Sequence, residues 1–190
     1  MTVQDAPTHA NWDLTHFFPS FDGPEYRAHF ESIERRAPEL AARGARLGAL
    51  TEASAPQWAA WVKDFEALID DYSHIASYIG CNAADDAANE SFRAAQGRLS
   101  RFGAAFKKAL IPFHAALKQA GNAAFEALAS DPAMRGARYF LELEREEARY
   151  TMPSDQEELA AELGVDGMSA WGRLYSTIAG KLTFEMTWPD

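Results

Sequence analysis

One cysteine, Cys81, stands among 190 residues. No intramolecular disulfide is therefore available, and a disulfide-stapled secreted scaffold is excluded. A lone thiol fits a reducing compartment. Positive charge is also in deficit. Eighteen Lys and Arg face 28 Asp and Glu, a net charge of −10, which argues against an extended nucleic-acid footprint or an anionic membrane surface. Long apolar runs are missing. Nothing approaches the roughly 18 uncharged apolar residues of a membrane span. Met1 to Ala10 contains Asp5 and Pro7 and no apolar core, so it is not a secretory leader. Gly-rich phosphate loops and Ser-nucleophile elbows do not occur. Runs of β-branched residues are scarce before residue 182. These absences leave a cytoplasmic, soluble, mainly helical protein with no nucleic-acid or membrane partner. Residues 1–10 are read as a flexible tail.

What is present is helical periodicity, introduced by an aromatic opening. Asn11-Trp12-Asp13-Leu14-Thr15-His16-Phe17-Phe18-Pro19-Ser20-Phe21-Asp22 places four large aromatics ahead of any helix. Such surface is costly to leave in water, so Trp12, Phe17, Phe18 and Phe21 are expected to clamp this segment onto the helices. A first helix should open at Gly23-Pro24 with Asp22 as its cap. Tyr26, Phe30, Ile33 and Ala37 form its stripe, and Pro38 predicts a kink or an end near Arg36-Ala37, with Leu40, Leu47 and Leu50 continuing as a second piece. Another helix starts near Ser54-Ala55-Pro56 and carries Trp58, Trp61, Phe65, Leu68, Tyr72, Ile75 and Ile79, with Gly80 as a stop. A third runs from about Asp86 to Ala120, with Phe92, Leu99, Phe102, Phe106, Leu110, Phe113 and Leu117 as its stripe and a bend at Pro112. The short polar join predicts an antiparallel hairpin.

Shorter helices should follow. Asn122 is placed as the cap of residues 123–129. Asp131-Pro132 opens a helix reaching Arg149, with Glu142, Arg145, Glu146 and Arg149 as exposed ion pairs. Ser154 and Glu157 form a capping box. Two helices reach Ala179, separated near Gly164 and Gly167. The period then changes to two. Leu182, Phe184, Met186 and Trp188 alternate with Thr183, Glu185 and Thr187, the pattern of a half-buried strand. No second strand is evident. The fold class expected is all-α, mostly antiparallel helical hairpins, with one C-terminal β-strand over 182–190 whose partner is missing. That partner must lie in another chain or in further sequence. Unpartnered, the strand should be disordered or should pair across a homodimer through residues 182–188.

The opening motif and the closing motif Ala170-Trp171-Gly172-Arg173-Leu174-Tyr175 with Leu182-Thr183-Phe184-Glu185 together resemble one family. This is the oligoendopeptidase F branch of the M3 zinc metallopeptidases. Tyr72 to Asp86 is similar to that family's helix end and polar turn. The resemblance covers nearly the whole chain, in order. It implies that residues 11–181 are a helical N-terminal domain lining one wall of a channel that admits short unfolded oligopeptide substrates. Residues 182–190 then lead toward an absent catalytic domain.

The family's zinc site uses His-Glu-x-x-His on a helix. The histidines here, His9, His16, His29, His74 and His114, are followed by Ala10, Phe17, Phe30, Ile75 and Ala115. The motif is absent, and family members carry it beyond the length of this chain. No catalytic, cofactor-binding or metal-binding residue is therefore assigned, and zinc is expected only in the parent enzyme's catalytic region. Weaker constellations have plain readings. Glu25 with His29 and Asp71 with His74 stand at helical spacing, and a surface contact is the simpler account of each. Cys81 beside Gly80 reads as a small buried hydrophobe rather than a nucleophile. Asp70-Asp71 and Asp85-Asp86 read as solvated helix charge. Phe92, Leu99, Phe102 and Phe106 read as core, although a peptide-binding groove has the same pattern. The alternative function is a free-standing helical binding or assembly module without activity.

Overall fold

The computed structural model describes residues 13–183 and residue 185. Its helices are α1 (Pro24–Leu47), α2 (Ala55–Asp85), α3 (Glu90–Gln119), α4 (Asn122–Ala129), α5 (Arg138–Ala148), α6 (Ser154–Asp166) and α7 (Met168–Ala179), with a 3-10 turn at Pro132–Met134.

Ring contacts fix the direction of the three long helices. Trp58 and Trp61 meet Phe113, Phe65 meets Phe106, and Tyr72 meets Phe102. Numbers rising along α2 pair with numbers falling along α3, so the two form the expected antiparallel hairpin. α1 lies across both and runs antiparallel to α2, since Leu40 reaches Trp61 while Arg36 reaches Asp71. The core is this three-helix layer. Trp58, Trp61, Phe30, Phe113, Ile33, Leu68, Ile75 and Ile79 are fully buried within it. Trp61 donates its Nε1–H to the Leu40 carbonyl at 2.9 Å. Gly44 allows that approach, because a Cβ there would lie 3.0 Å from the Trp61 indole nitrogen and 3.3 Å from Pro112 Cβ.

Several local breakers are overridden. α1 continues through Pro38 as one helix rather than ending there, because Ala37, Leu40 and Gly44 keep the buried stripe going while Pro38 faces solvent. α2 passes Gly80, which has open space around it, and ends at Asp85. α3 passes Pro112. The caps also shift by one residue. Gly23, not Asp22, caps α1, while Asp22 adopts a positive φ of 57° and pairs with Arg27 at 2.8 Å. Gly121 caps α4, and Asn122 instead accepts from Arg145 at 3.0 Å. Pro153 caps α6, and Glu157 reaches back to the Met152 N–H at 2.8 Å. Proline offers no N–H, so the glutamate finds the nearest donor upstream. The single helix expected over 132–149 is divided. Asp131 accepts from Ala133 N and closes a 3-10 turn, and Gly136, at φ 87°, turns the chain into α5.

The C-terminal strand is the main correction. Residues 182, 183 and 185 adopt no strand, and no strand occurs among the described residues. The chain leaves α7 through helical turns, with Lys181 N bonded to Ile178 O and Leu182 N to Ala179 O. The Leu182 amide is thus held by the helix end. Alternation alone cannot make a strand where no neighbouring edge offers a ladder. Phe184, Met186 and Trp188 lie outside the described residues, as do residues 1–10 and Trp12.

Candidate functional site

The opening segment is seated as expected. Phe18 is buried, and its ring lies 5.0 to 5.5 Å from those of Tyr78, His74, His29 and Tyr26. Phe17 packs on His74 and Phe21 on Tyr26 and Phe92. Burial pushes the Tyr26 hydroxyl up to about 12, so it stays a neutral phenol at any working pH.

Two constellations that looked separate in sequence converge here. His29, on α1, and His74, on α2, have ring centroids 5.5 Å apart. His29 Nε2 hydrogen-bonds the Asp71 backbone carbonyl at 2.9 Å, and His74 Nε2 hydrogen-bonds the Phe17 carbonyl at 3.3 Å. The Asp71 carboxylate is engaged by Arg36. Glu25, which spacing set beside His29, is exposed. Among the described residues no three His, Cys, Asp or Glu side chains are grouped to hold a metal ion. Both imidazoles act as struts that tie Phe17 and α2 to α1. Cys81 is exposed. Phe102 of the aromatic stripe is buried, Leu99 and Phe106 are half-buried against the core, and Phe92 is half-buried against Phe21. The expected ion pairs on α5 form in part. Arg149 binds Glu146 at 2.8 Å, but Arg145 turns to the Ala120 carbonyl and lies over the Phe125 ring.

A groove runs along the C-terminal half of α3. One part, of about 360 Å³, lies between α3 and the Thr151–Ser154 loop and is lined by Leu110, Ile111, His114, Lys118, Met152 and Glu157. A second part, of about 610 Å³, lies between α3, the end of α1 and α6. Beside the first, His114 Nε2 stands 2.6 Å from Glu144 Oε2, with both side chains largely buried. Lys118 donates to the Thr151 carbonyl at 2.7 Å. Nothing in the sequence pairs them, because His114 and Glu144 lie 30 residues apart on different helices. An apolar floor edged by Lys, His and Glu can hold an extended peptide by its carbonyls and amides. It offers no paired nucleophile and base for attack on one.

The described residues thus define an all-helical unit with a groove and an anchored N-terminal segment. Residues 117–184 match the family model described as Oligopeptidase F, the N-terminal region of the M3 peptidases. That match supports an M3-family, oligoendopeptidase F-like N-terminal region, in agreement with the resemblance carried by Trp171-Gly172-Arg173. No curated protein and no solved structure matches the chain. Among the described residues no helix is long and apolar enough to cross a membrane.

Proposed function

We propose that this chain is the N-terminal helical region of a cytoplasmic, zinc-dependent oligoendopeptidase that hydrolyses short unfolded peptides. It forms a wall of the substrate channel and performs no chemistry itself. The observation that carries the reading is the family match over residues 117–184, which spans α4 to α7 and the loop edging the groove. Two features support it. The sequence has no His-Glu-x-x-His, so the metal and its general base belong to another region. The groove is lined by Leu110, Ile111 and Met152 with Lys118 at its edge, a chemistry suited to peptides of varied sequence rather than to one ligand. A wall contributes by binding and orienting substrate and by excluding folded proteins, which cannot enter a narrow channel. Zinc, when bound in the catalytic region, supplies the Lewis acid and activated water.

Metal analysis tests the non-catalytic role. Chelator-treated chain, dialysed against equimolar zinc, is expected to retain far less than one zinc per molecule and to leave quenched fluorescent peptides intact. Tight one-to-one zinc would overturn the reading.

A further inference from the structure

A separate cleft lies between α2 and the turn that leads into α5. It has a volume of about 420 Å³ and shares no lining residue with the α3 groove. Its floor is apolar. Val62 and Phe65 from α2 and Met134 from the 3-10 turn are buried, and Ile69 and Phe140 are half-buried against the same core. The wall facing α2 is the turn from Ala133 to Ala137. Gly136 turns the chain there at φ 87°. The Met134 N–H bonds the Asp131 carbonyl at 2.9 Å, and the Ala137 N–H bonds the Met134 carbonyl at 2.9 Å. Both walls are therefore formed before a ligand arrives, and filling the space orders little further chain. A cleft of this size suits a small molecule of about ten to fifteen non-hydrogen atoms.

Charge selects the ligand. The charged side chains lining the cleft are Lys63, Glu66 and Arg135. Lys63 and Glu66 pair with each other. The charged groups flanking the turn are also engaged. Asp131 accepts from the Ala133 N–H at 2.8 Å, and Arg138 binds Glu126 at 2.8 Å and Glu142 at 2.9 Å. Arg135 has no ion-pair partner among the described residues. The cleft thus carries one uncompensated positive charge beside an apolar floor, in a chain of net charge −10. A guanidinium presents a planar fork of donors that matches a carboxylate, and it repels an amine.

We propose that the cleft between α2 and α5 binds a small carboxylate with an apolar body. The carboxylate sits on Arg135 and the body over Phe65, Ile69, Met134 and Phe140. A medium-chain fatty acid and the apolar C-terminal residue of a short peptide share this chemistry. The site binds and carries out no reaction. It does not depend on the reading of the α3 groove, and either stands without the other.

The test uses the full chain. The acid probes are decanoate and N-acetylphenylalanine, and their amides are the neutral counterparts. Titration of isotope-labelled protein, followed by backbone amide chemical shifts, is expected to give a dissociation constant below about 1 mM for at least one acid. The shifts should centre on Gly136, Ala137 and Phe140. Replacing that acid by its amide, or the protein by Arg135→Gln, should each weaken binding by about threefold or more. Arg35→Gln, exposed on α1, should bind as the parent does. Ala133→Trp fills the cleft from an exposed position and should abolish binding. Unchanged far-UV dichroism verifies the fold of each variant. Binding of decanoate alone assigns the site to fatty acids, binding of N-acetylphenylalanine alone assigns it to peptide C-termini, and each sustains the proposal. No binding of either acid up to about 5 mM, equal binding of acid and amide, equal binding by Arg135→Gln, or shifts centred on the α3 groove overturns it.

Discussion

Replacing Phe18 by alanine removes the anchor of the opening segment. Its ring touches Tyr26, His29, His74 and Tyr78 and is only 5% exposed. A Phe→Ala change in a core costs about 3–5 kcal/mol. The lower end applies here, because Phe18 belongs to a peripheral segment that can lift away instead of leaving a full cavity. The transfer contribution is about 2–3 kcal/mol, and the edge-to-face contacts add about 0.5–1.5 kcal/mol. A loss of about 3 kcal/mol converts, for a chain of this size, to a fall in Tm of roughly 6–12 °C. Thermal melting followed at 222 nm reads that shift. Hydrogen exchange reads its location, at the Phe17 and Gly23 amides that bond Leu14 and Ser20 carbonyls. A Tm within about 2 °C of the parent, with unchanged exchange at those amides, would refute the account of the segment as an anchored strap.

Two further changes separate packing from propensity and charge. Pro38→Ala should stabilise the protein by about 1–2 kcal/mol, since it restores an amide donor to Glu34 in the middle of α1 at an exposed position; denaturant titration showing no gain would mean that α1 is strained elsewhere. Arg98 donates two hydrogen bonds to Glu34, at 2.7 and 2.6 Å, and holds its carboxyl below the ordinary 4.5. The folded state thus binds that proton less tightly than the unfolded chain. The contribution is complete above pH 4.5 and is lost as pH falls through the depressed folded value. Glu34→Gln should therefore cost about 0.5–1 kcal/mol at pH 7, the range of a partly exposed pair, and almost nothing near pH 2. A cost that persists undiminished in acid would contradict the ion-pair assignment.

Much of the scaffold was legible in sequence because its signals were redundant. The stripe Phe92 to Leu117 and the face Trp58 to Ile79 each repeat over several turns, and the structure pairs them as an antiparallel hairpin. The aromatic cost of the opening segment predicted its anchoring, and Phe18 shows it. Single-residue punctuation was less dependable. Pro38 and Gly80 are weak breakers beside continuous buried stripes, so both helices run past them. The alternation at Leu182–Trp188 has the period of a strand, but a strand is a property of a sheet, and the described residues supply no edge. The contacts His29–His74 and His114–Glu144 were hidden because tertiary packing alone brings them together. The apolar stripe of α7 was visible, but its exposure was not. A stripe predicts a buried face, and here the other described residues do not cover it.

The most direct measurement of the central claim is the cleavage of a short quenched peptide by a zinc-loaded oligopeptidase F-type catalytic region, with and without this chain. The account predicts no cleavage by the chain alone and a dose-dependent rise in kcat/KM when the chain is added, saturating at one to one. Cleavage by the chain alone that a chelator abolishes, or a catalytic region wholly indifferent to the chain, would contradict it.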